Sequence, residues 1–234
     1  MAVAYDSQAD RSRNGSNSYT VALSTSGTDR VIIAETHTSN NEDLTPSASG
    51  LTFVQIGSDL SFAGNGRMKI WRAFASSKLT ALTVTLTSTN FPQSHACITT
   101  WSGADTTGTN GSGAIGATNT VTSGGATSSS AAITTTIGNA QVIGLFAETE
   151  AKSVSAGSNQ TVKSYSTTEA LSRGVIIQRN SLTTTSGTSV TGNVTWSGSV
   201  ASGGMTLEIK PPAVTSIPHK IYKYMQAVNR AARY

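Results

Sequence analysis

Apolar and hydroxylated residues alternate with a period of two along much of the chain. Leu82, Val84 and Leu86 alternate with Thr83, Thr85 and Thr87; Val190, Val194 and Trp196 share parity across Thr191, Asn193 and Thr195; Met205, Leu207 and Ile209 alternate with Thr206, Glu208 and Lys210. Such runs predict strands with one dry and one wet face. Residues 31–34, 142–146 and 175–177 are apolar on both parities, as expected of strands in the middle of a sandwich or covered on their second side. Together with 19–23, 51–56, 68–74, 96–101, 131–137 and 161–165, they predict about a dozen short strands separated by Gly, Ser and Asn turns. Between Trp101 and Ala131 the Gly/Thr/Ser/Asn-rich sequence predicts a long surface loop with one edge strand. No internal repeat of fixed period stands out.

The pattern changes at the C-terminus. After Pro218, the residues Ile221, Tyr224, Met225, Val228 and Ala231/Ala232 recur at spacings of three and four, and Lys220, Lys223, Arg230 and Arg233 fall largely around the other faces. This predicts a short amphipathic helix, with Ser216 as N-cap and Pro218 in the first turn. A helix of about four turns is marginal alone in water, so its order has to come from packing on something else. The organisation expected is one all-β sandwich domain over 1–210 and a Pro-linked basic segment over 211–234.

Charge sharpens this division. From Lys210 onward there are five basic residues and no acid, against eleven basic and twelve acidic residues before it, so the formal +4 is a +5 tail on a −1 body. The tail's charges alternate with apolar residues, and Tyr222, Tyr224 and Tyr234 add amphipathic surface, which favours docking to protein over tracking phosphates or a membrane. The expected docking residues are Ile221, Tyr224, Met225 and Val228 on the buried face and Lys220, Lys223, Arg230 and Arg233 at the rim.

Charged residues make up 12% of the chain, while Ser and Thr together make up about 30%, a composition suited to extracellular or particle-surface β proteins. The single cysteine, Cys97, excludes an internal disulfide framework; it lies in an apolar run and is expected to be a small buried side chain. No stretch reaches the 18 apolar residues that would span a bilayer, and the N-terminus lacks the basic and apolar regions of a secretory signal.

Motifs that carry chemistry are sparse. Gly111-Ser-Gly113-Ala-Ile-Gly116 matches G-x-G-x-x-G but opens no helix and belongs to no βαβ unit, so it is expected to be a surface spacer and not a dinucleotide site. His37, His95 and His219 are scattered over separate elements, and no Cys/His cluster has metal-ligand spacing; no metal and no cofactor is expected. Glu148 and Glu150, with Glu35 similarly placed, would be candidates for a glycosidase carboxylate pair, but they are expected to be solvated strand-end charges. Trp71, Trp101 and Trp196 lie in apolar strand patterns and are expected, for the most part, to be core rather than sugar platforms.

The blocks Asp29-Arg-Val-Ile-Ile-Ala, Leu51-Thr-Phe-Val-Gln-Ile-Gly, Met68-Lys-Ile-Trp-Arg-Ala-Phe, Leu82-Thr-Val-Thr-Leu, Thr99-Thr-Trp-Ser-Gly-Ala-Asp and Gly204-Met-Thr-Leu-Glu-Ile-Lys-Pro resemble, in order and pattern, jelly-roll β-sandwich modules of bacteriophage virion proteins. The resemblance covers about residues 2–211, and the basic C-terminal extension departs from it. It implies a two-sheet antiparallel, lectin-like jelly roll with a short C-terminal helical tail, a structural or adhesive role, and no catalytic residues. The protein is accordingly expected to be no enzyme but a virion structural protein: a capsid decoration or cement protein, or a tail-fibre component, assembled in the host cytoplasm and displayed on the virion surface. Its expected partners are the major capsid protein or another virion protein and further copies of itself, with no nucleic acid and no membrane. The alternative is a carbohydrate-binding module that attaches to a host glycan.

Overall fold

The computed structural model describes residues 2–62, 64–90, 93–166 and 172–213. The expected helix after Ser216 and its eight docking residues lie outside these. Within them the chain is antiparallel β throughout, apart from one 3-10 turn at Ser112–Ala114, so the all-β sandwich character expected from the alternation is present.

The strands form two units. The first contains β1 (Ala4–Arg13), β2 (Ser18–Leu23), β3 (Arg30–Thr38), β4 (Thr45–Ser47), β5 (Val54–Gln55), β6 (Leu60–Phe62), β7 (Gly66–Ala75), β8 (Leu82–Thr87) and β9 (Ser94–Ser102). They make one sheet in the order β1-β9-β3-β7-β5, with β6 also on β7, and a smaller sheet β2-β8-β4. Val84 and Leu86 of β8 face the first sheet, and Thr83 and Thr87 face solvent, the facing that the alternation predicts. Ile32, Ala34, Trp71 and Ala73 meet them from the larger sheet.

The second unit contains β10 (Ile115–Thr134), β11 (Gln141–Glu148), β12 (Val154–Ala156), β13 (Gln160–Tyr165), β14 (Arg173–Arg179) and β15 (Ser189–Ile209). Its strand order is β10-β15-β11-β14-β13, with β12 also on β15. β10 and β15 are long enough to serve two layers. Residues 115–123 of β10 pair with 202–209 of β15 in the large layer; 128–134 pair with 189–195 in a second layer, to which β12 adds. The register shifts twice between Ser123 and Ser128, and such bulges let a strand bend from one layer to the next. Phe146, Val175 and Ile177 then pack on Val194 and Trp196 between the layers.

The two units have the same topology. If each long strand is counted as two legs, 115–123 of β10 takes the place of β1 and 128–134 that of β2, while 189–195 of β15 replaces β8 and 202–209 replaces β9. β11, β12, β13 and β14 stand for β3, β4, β5 and β7, and both sheet orders then coincide. Starts of equivalent strands lie 111 residues apart (Ala4 and Ile115; Arg30 and Gln141) or 107 apart (Gly66 and Arg173; Leu82 and Ser189). The two-sheet sandwich expected from the sequence is thus replaced by three sheets in two repeated units.

The larger layers of the two units pack against each other with reciprocal contacts. β9 meets β14 as β15 meets β7; β1 and β9 meet β13 as β10 and β15 meet β6, the short strand neighbouring β5; and β3 meets its own counterpart β11. This is the geometry of an isologous dimer made within one chain. Its core is Val31, Ile33, Ile70 and Trp101 against Ile143, Leu145, Ile176, Met205 and Leu207, each such side chain contributing about 1.5–3 kcal/mol on burial. Inner layers covered on both faces explain why residues 31–34, 142–146 and 175–177 are apolar on both parities.

Candidate functional site

The chain leaves its body at a point held by the junction of the two units. The Lys210 N–H donates to Ala114 O and the Asp105 N–H donates to Lys210 O, both at 2.8 Å. Pro211, Pro212 and Ala213 then border a cleft of about 650 Å³ with Ala2, Ile137, Gly138 and Asn139. Pro212 also borders a second cleft of about 550 Å³, with Thr28, Arg30, Gly103 and Ala104 on its walls. The predicted docking residues Ile221, Tyr224, Met225, Val228, Lys220, Lys223, Arg230 and Arg233 lie beyond this root, outside the described residues, as does His219.

Between the units, the apolar core gives way to a buried polar cluster. Glu35 and His37 on β3 face the same way as His95 and Cys97 on β9, because Glu35 is the cross-strand neighbour of Cys97 and His37 that of His95. His95 Nε2 lies 3.0 and 3.1 Å from the two carboxyl oxygens of Glu35. The His37 ring stacks between His95 and Phe62, with centroids 5.0 and 5.2 Å away. All of Glu35, His37, His95 and Cys97 are 0% exposed. Burial pushes the Glu35 carboxyl well above its ordinary range, His37 well below its own and His95 down to about 3, so burial favours the neutral form of each of these groups.

The second unit closes this cluster with backbone. The Cys97 thiol donates to Gly174 O at 3.3 Å, and a Cβ on Gly174 would overlap His95 Nε2 and Glu35 Oε2. Burial raises the Cys97 pKa well above the ordinary thiol range, so it is a packed thiol and no thiolate nucleophile, as the apolar run around it predicts. The expectation that Glu35 is a solvated strand-end charge is corrected: its partner His95 lies 60 residues away, and only the sheet order brings them together. The arrangement is enclosed and lies across the junction of the two units, which the Cys97–Gly174 bond links.

Of the other two carboxylates, Glu148 is corrected similarly, while Glu150 is the exposed charge expected. Glu148 is 0% exposed, accepts hydrogen bonds from the Glu150 N–H (2.5 Å) and Lys152 N–H (3.1 Å), and is pushed by burial up to about 7. It ties down the turn after β11, whereas Glu150 lies outside and pairs with Lys152 at 3.3 Å. The two therefore do not flank a common substrate. All three tryptophans are buried, as expected for at least two. Their indole N–H groups donate to hydroxyls within the body: Trp71 to Thr36 at 2.9 Å, Trp101 to Thr99 at 3.0 Å and Trp196 to Ser129 at 3.1 Å.

The glycine loop is not the spacer its composition suggests. The N–H groups of Ser112, Gly113 and Ala114 donate to Thr109 O, Thr107 O and Gly111 O, which leaves none of these three for a phosphate. Ala114 is buried in the inter-unit core, and a Cβ on Gly113 would overlap Thr107 O. Gly113→Ala is therefore expected to lower stability by about 1–3 kcal/mol through overpacking, read as a shift of the urea midpoint. Titration of the unaltered protein with ATP or NAD should show no saturable binding.

Among the described residues, no group of three or more His, Cys, Asp or Glu side chains is placed to hold a metal ion. No known protein family, curated protein or solved structure matches the chain.

Proposed function

We propose that this protein is a virion structural protein, a capsid decoration or cement protein, whose C-terminal segment fixes the body to the particle and whose copies associate there; a tail-fibre component is the close variant. One observation carries the reading: a Ser/Thr-rich, nearly neutral body ends at β15 and passes through Pro211 and Pro212 into a segment whose charges are all basic. The eight-strand order repeated in each unit also supports the jelly-roll reading, an architecture at home in capsid and lectin domains. The burial of Glu35, His95 and Cys97 and the separation of Glu148 from Glu150 give no support to an enzymatic role.

The test is occupancy on purified particles at moderate salt. A chain ending at Ala213 should fold and stay soluble but fail to join its particle. In the full-length chain, Ile221→Ser with Val228→Ser should weaken attachment more than neutralising two of Lys220, Lys223, Arg230 and Arg233, because a buried apolar anchor contributes about 1.5–3 kcal/mol and an exposed ion pair about 0–1. Undiminished occupancy of the truncated chain removes the anchor from the account. The alternative, a lectin-like module for host-surface attachment, finds no exposed tryptophan platform among the described residues, so it would have to work through hydrogen bonds and charge.

A further inference from the structure

The repeated topology makes differences between the units informative. In the first unit the connection from β4 to β5 lays Leu51 and Phe53 on the core. The corresponding connection in the second unit, from β12 to β13, is only Gly157-Ser158-Asn159. Beside it a cleft of about 420 Å³ opens, walled by Ser158 and Asn159 on the turn, Arg179, Asn180 and Ser181 at the end of β14, and Thr191 on β15.

Two features distinguish this cleft from a packing gap. First, its walls are fixed by hydrogen bonds: the Gly157 N–H donates to Asn193 O, the Asn180 N–H to Asn159 O, and the Gln160 and Asn193 amides bond each other at 3.0 Å, with the Asn193 N–H on Gln160 Oε1 at 3.2 Å. A preformed cleft loses little on ligand binding. Second, Arg179 is the one charged residue on the walls. Its Nη1 is buried without a hydrogen-bond partner, and no carboxylate among the described residues pairs with it. The guanidinium charge is thus uncompensated by the protein, and its nitrogens other than the buried Nη1 are the donors left for a ligand in the cleft.

We propose that this cleft binds an acidic saccharide, whose carboxylate pairs with Arg179 and whose hydroxyls meet the amide and hydroxyl side chains of Asn159, Asn180, Ser158, Ser181 and Thr191. The guanidinium matches a carboxylate with two parallel N–H donors, and short amides and hydroxyls both donate and accept, as sugar hydroxyls do. The absence of a tryptophan on the walls makes charge, and not stacking, the basis of selection. The inference is independent of the C-terminal anchor, since none of its residues lies beyond Thr191.

The test uses the full-length, isotope-labelled protein and its amide NMR spectrum. Glucuronic acid and N-acetylneuraminic acid should shift the signals of residues 158–160, 179–181 and 189–191 saturably, while glucose and N-acetylglucosamine should bind at least tenfold more weakly. Arg179→Gln should weaken acidic-sugar binding at least tenfold, Arg179→Lys by less, and Ser158→Ala, on the exposed turn, severalfold without disturbing the fold. Equal binding of neutral sugars, inorganic phosphate binding as tightly as either acid, unchanged binding by Arg179→Gln, or no saturable shift would each overturn the proposal. Should Arg179→Gln fail to fold, Ser158→Ala and the neutral sugars decide it.

Discussion

Val84→Asp is expected to cost at least about 3 kcal/mol, whereas Thr83→Asp on the adjacent position should change stability by no more than about 0.5 kcal/mol. Val84 is 0% exposed between the two sheets of the first unit, packed among side chains such as Val21, Leu86 and Ile32. A carboxylate there either stays charged in an apolar layer or takes up a proton, and both routes disfavour the native state. Thr83 faces water on the same strand, so it controls for any general effect of adding an acid. For a chain of this length, 3 kcal/mol corresponds to a fall of roughly 6–12 °C in Tm. A thermal melt in which the two variants behave alike would mean that β8 does not face as described.

The facing of β8 was legible because its alternation is local. The same holds for β2 and for 189–195 of β15, where the side chain at every second position decides which face is dry; the final leg of β15, 202–209, whose Thr206 and Glu208 predict a wet face, is buried on both faces. The runs apolar on both parities also announced covered strands, but nothing in them says what does the covering. That required pairing across long sequence separations, and it is where the local pattern ran out. The repeat illustrates the difficulty. The shared tripeptides Ala34-Glu35-Thr36 and Ala147-Glu148-Thr149 fall on corresponding strands, yet Ala34 packs inside the first unit and Ala147 between the units. Aligning them puts every neighbouring side chain on the wrong face. Equivalent strands are also joined by connections of different length, which erases a fixed period while preserving the topology.

Buried polar groups were harder still. Glu35 and Glu148 each end an apolar stretch, where an acid ordinarily marks the surface; their burial is explained only by His95 in one case and by the Glu150 and Lys152 N–H groups in the other. Arg179 carried the opposite ambiguity. It reads as a charge closing a strand, and only the folded chain shows the cleft beside it, in a unit whose β12–β13 connection has no counterpart of Leu51 and Phe53.

The buried cluster between the units should set the pH at which the protein is most stable. His37 and His95 have folded-state pKa values below the ordinary 6.5, His95 at about 3. Their contribution is present above the unfolded value and is lost as pH falls, because the unfolded chain takes up protons that the native state refuses. Each contributes a slope of about 1.36 kcal/mol per pH unit, so the pair gives about 2.7 below pH 4.5, steepened by Asp6 and Asp59, whose carboxyl pKa values are lowered. Glu35 and Glu148 have raised pKa values, Glu148 at about 7; their contribution is full below the ordinary 4.5 and is lost as pH rises. Between about 4.5 and 6.5 the two pairs oppose each other, and above 6.5 only the acids act. Stability should therefore peak in mild acid and decline towards neutral pH. Glu35→Gln keeps a hydrogen-bond partner for His95 but cannot ionise, so it should flatten the decline above pH 6.5 and change little at pH 4. His37→Phe, which fills the same stack without a titrating nitrogen, should reduce the acid slope by about one histidine's share. Urea midpoints measured from pH 3 to 9 on the three proteins decide the matter: a wild-type stability that rises steadily from pH 5 to 9, or a Glu35→Gln curve parallel to wild type, would show that the cluster does not stay neutral in the folded protein.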